Sequence, residues 1–336
     1  MNRKSHLFFM LAVLILLVQA CNLPEPSQPT ETAVPPAAEI PATAPPAQHQ
    51  LIPVSAPEAS PYPDVVSTDT APEKRAPYGD TYDLNRLERP FTQDMTYIPD
   101  MDIASFSISD DGDWYYVSIG LVGKNPNNSP GINFAVELDT NLDSFGDFLI
   151  LAEPPYSEEW TADNIKVYAD TNRDSAGTSA AKSDAPFSGN GYDKLIHDIT
   201  IGVGDDPDLV WVRTNAGQSA TVQFAFKKSW AGSTFLFGVL ADAGLKDVSR
   251  LDYVDRFTEE EAGSPVRSNT HYPLQALFAV DNTCFQAVGF EPTGFEPKIC
   301  PEIVQPQIVE QPEQPGQPGI TPVGLTPRPT LIPPPN

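Results

Sequence analysis

Residues 102–121 read DIASFSISDDGDWYYVSIGL, and this stretch decides the fold class. Ala104, Phe106 and Ile108 alternate with small polar residues, and Tyr115, Val117, Ile119 and Leu121 do the same beyond Asp110-Asp111-Gly112-Asp113. A period of two means that successive side chains point to opposite faces of a half-buried strand. The acidic, glycine-bearing break between the two runs is a turn, so the pair predicts an antiparallel hairpin.

The same period recurs outward from this hairpin. Ile132, Phe134, Val136 and Leu138 share one face, as do Val222, Phe224 and Phe226, then Phe235, Phe237 and Val239. Further strands are expected over residues 165–169, 195–201 and 209–214. Helix signals are sparse; the best is Thr258 placed to cap Glu259-Glu260-Glu261-Ala262. Eight or nine strands joined by long loops predict an all-β fold, an antiparallel two-sheet β-sandwich.

Two features carry a family resemblance. One is the Asp102-Ile103-Ala104 strand leading into Asp110-Asp111-Gly112-Asp113-Trp114; the other is Phe134-Ala135-Val136-Glu137-Leu138 running into an acidic loop. Over residues 102–255 the chain resembles the DOMON-like and family 9 carbohydrate-binding-like sandwiches of secreted proteins. The resemblance implies binding of sugars, or in some members haem, often with a structural calcium. It supplies no ligand-contact motif to carry over residue by residue.

The ends of the chain have another character. Arg3 and Lys4 precede an apolar run over residues 7–18, the pattern of an export signal and too short for a comfortable bilayer span. Val18-Gln19-Ala20-Cys21 resembles the bacterial lipobox, which implies removal of residues 1–20 and diacylation of Cys21. Two acyl chains on one residue suffice for stable anchoring. The expected location is therefore the bacterial cell surface, lipid-anchored to the membrane and extracytoplasmic. Of 37 prolines, 14 lie between Cys21 and Asp80 and 11 from Pro301 onward. Such stretches favour extended polyproline II geometry and bury no core. The division expected is a stalk over 21–81, a sandwich domain over 82–300 and a disordered tail over 301–336.

Charge limits the partners. The chain carries −25 at neutral pH, and loss of Arg3 and Lys4 with the signal takes it to −27. Nucleic acid and anionic membrane surfaces require a basic footprint, which is lacking, whereas divalent cations suit an acidic chain. With Cys21 acylated, Cys284 and Cys300 are left to form a disulfide in an oxidising compartment.

One internal echo stands out: Asp139-Thr140-Asn141-Leu142-Asp143-Ser144-Phe145-Gly146 is matched by Asp170-Thr171-Asn172-Arg173-Asp174-Ser175-Ala176-Gly177. Asp139, Asn141, Asp143 and Asp147, with Asp170, Asn172 and Asp174, place oxygens at alternate loop positions, the donor type that calcium requires. The loops depart from the EF-hand pattern, having serine at the sixth position and Ile150 and Ala181 at the twelfth. The competing reading is that Asp and Asn end strands by building Asx turns.

Catalytic patterns are missing: the sequence contains no zinc-protease, nucleophile-elbow or phosphate-loop motif. Glu158 or Glu159 with Asp163 would make a glycosidase couple of almost no specificity in a chain with 45 acids. Met101 with His197 or His271 would be the haem ligands, and His197-Asp198 reads as structural. Aromatics give the remaining lead. Trp160 in a loop, and Trp211 alternating with Arg213, are the candidate platforms for a sugar ring. The function expected is non-catalytic binding of extracellular glycan, stabilised by calcium; the alternative is a protein-interaction or structural envelope module, and a hydrolase ranks third.

Overall fold

A computed structural model of the protein describes residues 48–74, 77, 88–92, 94–143, 145–175, 189–215, 220–250, 278–296 and 298–303. Cys21, His271 and the expected 258–262 helix lie outside the described residues. The strands are β1 (Tyr62–Pro63), β2 (Glu88–Arg89), β3 (Ile103–Asp110), β4 (Trp114–Leu121), β5 (Asn133–Asp139), β6 (Phe148–Ala152) and β7 (Ile165–Ala169), then β8 (Lys194–His197), β9 (Val210–Thr214), β10 (Thr221–Lys227), β11 (Phe235–Asp242), β12 (Phe278–Asn282) and β13 (Gln286–Val288). A single helical turn, α1 (Lys228–Ala231), follows β10.

They form two sheets, one in the order β1-β3-β4-β10-β9 and the other β2-β12-β11-β5-β6-β7-β8, with β13 also on β11. The all-β two-sheet sandwich is thus the fold. Among the described strands pairing is antiparallel except for a short parallel contact of β12 with β2, and one isolated bridge, Phe285 to Ile299, is also parallel. Phe106, Val117, Ile119, Val222 and Phe224 from the first sheet meet Phe134, Val136, Phe235 and Phe237 from the second in one buried core. The β3–β4 hairpin turns at Gly112, whose φ of +108° favours glycine. Asp111 Oδ1 accepts the Asp113 and Trp114 amides there.

Several expectations are corrected. A register shift in β3 between Ile103 and Ser105 turns Ile103 into the core and leaves Ala104 half-buried, reversing the expected face for that end of the strand. The strand expected over 195–201 ends at His197, where the chain turns so that Asp198 bridges Val203. β6 went unread because Phe148-Leu149-Ile150-Leu151-Ala152 is continuously apolar. Its Ile150 faces the main core, while Leu149 and Leu151 join Ala135, Tyr192 and Leu240 in a second cluster on the sheet's other face.

The domain boundary also moves. Residues 48–74, within the expected stalk, are already packed on the sandwich. β1 pairs with β3, Ser67 is fully buried against Asp102, and the Tyr62 hydroxyl donates to the Pro301 carbonyl. This described part of the proline-rich arm therefore belongs to the sandwich. The disulfide joins Cys284 to Cys300, as expected.

Candidate binding face

Inward residues of the five-stranded sheet fill the core, so the alternate positions define its outer face. Strand register sets them in rows. One row is Ser107, Ser118, Gln223 and Arg213, directly opposite one another on β3, β4, β10 and β9. It is joined by hydrogen bonds: Gln223 Nε2 donates to Ser118 Oγ at 3.1 Å, and Arg213 Nε donates to Gln223 Oε1 at 2.9 Å. A second row is Ser105, Gly120 and Thr221. These residues are partly exposed except Gln223, which is buried.

Trp160 closes the end of the polar row. Thr161 bridges to Val212, and this places the preceding indole beside Arg213, whose guanidinium carbon lies 4.4 Å from the ring centroid. That is cation–π distance. Trp160 is half-buried, so a ligand here meets an Arg213–Trp160 stack and not a bare ring.

The third row is Ser109, Tyr116, Ala225 and Trp211, and residues 48–57 lie across it. His49 packs on Trp211 with ring centroids 4.6 Å apart, the Val54 amide donates to the Tyr116 hydroxyl, and Ser109 Oγ donates to the Pro57 carbonyl. The strap thus crosses the strands from β9 to β3. Asp208 pins its start by accepting the amides of Gln50 and Leu51 at 2.8 and 2.9 Å, and Trp160 Nε1 donates to the Val54 carbonyl. Trp211 is only 3% exposed as a result, which corrects its assignment as an open sugar platform. Proline-rich composition concealed this strap.

The two acidic loops share more than sequence. Leu142 and Arg173, the fourth residue of each, both adopt left-handed conformations with φ of 61° and 63°. Asp139 Oδ1 accepts the Leu142 and Asp143 amides, while Asp170 accepts four, those of Asn172, Arg173, Asp174 and Ser175. Asp147 holds Thr140 and Asn141, and Asp174 holds Asn172, Asn190 and Gly191. The repeated motif is a repeated Asx turn. The structure also brings the loops together: Arg173 of the second pairs with Asp143 of the first at 2.5 Å, and Ser175 Oγ donates to the Gly146 carbonyl. Sequence spacing gave no sign of this cation. Among the described residues no group of three or more His, Cys, Asp or Glu side chains converges as a metal site.

A cleft of about 200 Å³ lies on the other sheet, lined by Asn133, Glu153, Tyr168, Asp242 and Lys246 among others. Its titratable groups have structural duties. Burial pushes the Asp242 carboxyl up, against the Lys246, Gly244 and Leu245 amides that it accepts. The Lys246 ammonium donates to the Gly131 and Asp242 carbonyls and to Asn133 Oδ1, using its three donors. Glu158, Glu159 and Asp163 are exposed. Met101 is buried in the turn before β3 and His197 at the end of β8, and burial pushes the His197 imidazole down.

No family model matches this chain, and neither a curated protein nor a solved structure matches it.

Proposed function

We propose that the chain is a lipid-anchored, extracytoplasmic binding module whose five-stranded sheet recognises extracellular glycan. The observation that carries this reading is the hydrogen-bonded row Ser118–Gln223–Arg213 ending on Trp160. Short hydroxyls and an amide beside an aromatic ring are the groups that meet sugar hydroxyls and sugar faces together. The family resemblance over residues 102–255 points the same way, and the lipobox-like Cys21 supplies the location. Calcium fits this reading as a stabiliser of the repeated loops, with no part in contact with sugar.

A glycan array probed with the mature chain tests it. Saturable binding lost in Trp160→Ala, with unchanged melting temperature, is the expected result, and a blank array overturns it. Cys21→Ser is expected to release the protein from the membrane fraction; normal retention and processing of that variant would refute the anchor. One observation favours a second reading, a protein-interaction module: the same face already holds an extended, proline-bearing segment through Trp160, Tyr116 and Trp211. A blank array together with capture of an envelope protein would select it.

A further inference from the structure

We infer that the ligand of this face is an acidic glycan, and that Arg213 selects it by pairing with an oxyanion on the sugar. This rests on the glycan reading and narrows it to a substrate class.

The argument begins with charge. The chain has 45 acidic and 20 basic residues, so a cation on its surface finds a carboxylate easily. Lys166 pairs with Glu153, Arg173 with Asp143, Lys227 with Asp206, Lys228 with Asp110 and Lys298 with Glu137. Arg213, like Lys124, Lys194 and Lys246, makes no such pair among the described residues; what sets it apart is that its guanidinium is held in place by Gln223 and Trp160. Exposed Glu159 is near enough to act on it through space, yet forms no salt bridge with it.

Geometry supplies the rest. The bond from Nε to Gln223 and the stack on Trp160 fix two sides of the guanidinium plane. Gln223 is itself held by Ser118, so the group is oriented from below as well as from the side. Its two terminal nitrogens make no hydrogen bond to any described residue. A guanidinium edge presents parallel N–H groups that match a carboxylate or sulfate bidentately, and such charge-assisted bonds are roughly twice as strong as neutral ones. Holding the plane in place beforehand removes most of the side-chain ordering cost of binding. Ser107 and Ser118 lie along the same row to take ring hydroxyls.

Two sugar chemistries carry such a group, a uronate carboxylate and a sulfate ester, and the test separates them. Calorimetric titration of the mature chain uses polygalacturonate, its fully methyl-esterified form, a sulfated galactan and a neutral galactan. One acidic polymer is expected to bind roughly tenfold or more tightly than its uncharged counterpart. Arg213→Gln should erase that discrimination and Arg213→Lys should restore part of it, with melting temperature as the check on folding. If Arg213→Gln fails to fold, the acid-against-ester comparison on the unaltered chain decides alone. Equal affinity for charged and uncharged polymers, or discrimination that survives in Arg213→Gln, overturns the assignment and leaves the glycan reading standing. Failure to bind any of the four, with a blank array, overturns both.

Discussion

The Nδ1 atom of His49 stands 2.7 Å from Oδ1 of Asp208, across 159 residues of sequence. This clasp is where the proline-rich arm becomes part of the sandwich. Burial raises the Asp208 carboxyl, but the Gln50 and Leu51 amides and His49 outweigh it and hold the group below its ordinary range. The contribution is therefore present at neutral pH and fades as pH falls through that depressed value. Asp208→Ala should cost about 1–3 kcal/mol in urea unfolding at pH 7. Limited proteolysis should then cut first within residues 48–57. Resistance of that segment equal to the unaltered protein would show that the strap is held by other contacts.

A second pH effect has the opposite sign. Burial raises the Asp102 carboxyl to about 6, against the Tyr97 hydroxyl and the Ser67 amide that it accepts. The folded state thus takes up a proton between pH 6 and 4 that the unfolded chain does not, so this group adds stability as pH falls through that window. Asp102→Asn retains an acceptor and removes the charge. It should raise stability near pH 7.5 by an amount of order 1–3 kcal/mol, with a smaller gain near pH 4.5. Equal shifts at both pH values would contradict the assignment.

The strands were legible where one face is wet. β3 and β4 alternate cleanly because Ser105, Ser107 and Ser118 sit outside while Phe106, Val117 and Ile119 sit inside. Alternation fails for β6, which is covered on both faces, and for Ile103, whose side is set by a register shift that composition does not encode. The candidate face was half legible. Trp160 and Arg213 were singled out separately, but their stacking depends on the bridge of Thr161 to Val212, a tertiary contact. Trp211 was misplaced because its cover comes from 162 residues upstream, in a segment whose prolines argue for solvent.

The repeated loops predict unequal losses. Asp170 satisfies four backbone amides and Asp163 side-chain oxygens none among the described contacts, so Asp170→Ala should cost about 1–3 kcal/mol and Asp163→Ala under about 0.5. Repeating both measurements with calcium and with chelator reports in addition whether the cation adds to the Asp170 term. Indistinguishable urea midpoints for the two variants would refute the turn role.

Cys284 and Cys300 close a short loop, with a sequence separation of 16, that carries the Phe285 ring over β11. The ring rests where Gly238 has no side chain; a Cβ there would stand 2.4 Å from Phe285 Cε1. Replacing both cysteines by alanine should lower stability by about 3 kcal/mol in urea unfolding. A loss below about 1 kcal/mol would mean that β13 is held by its strand pairing alone.

The strap has a mechanical consequence. On the lipid-anchored reading, any pull between membrane and domain enters the sandwich through residues 48–57, before it reaches β1. Those residues are held by side-chain contacts and scattered single bonds, with no strand ladder among them. Load would peel them from the sheet first and bare Trp211 and Tyr116 beside the Arg213 row.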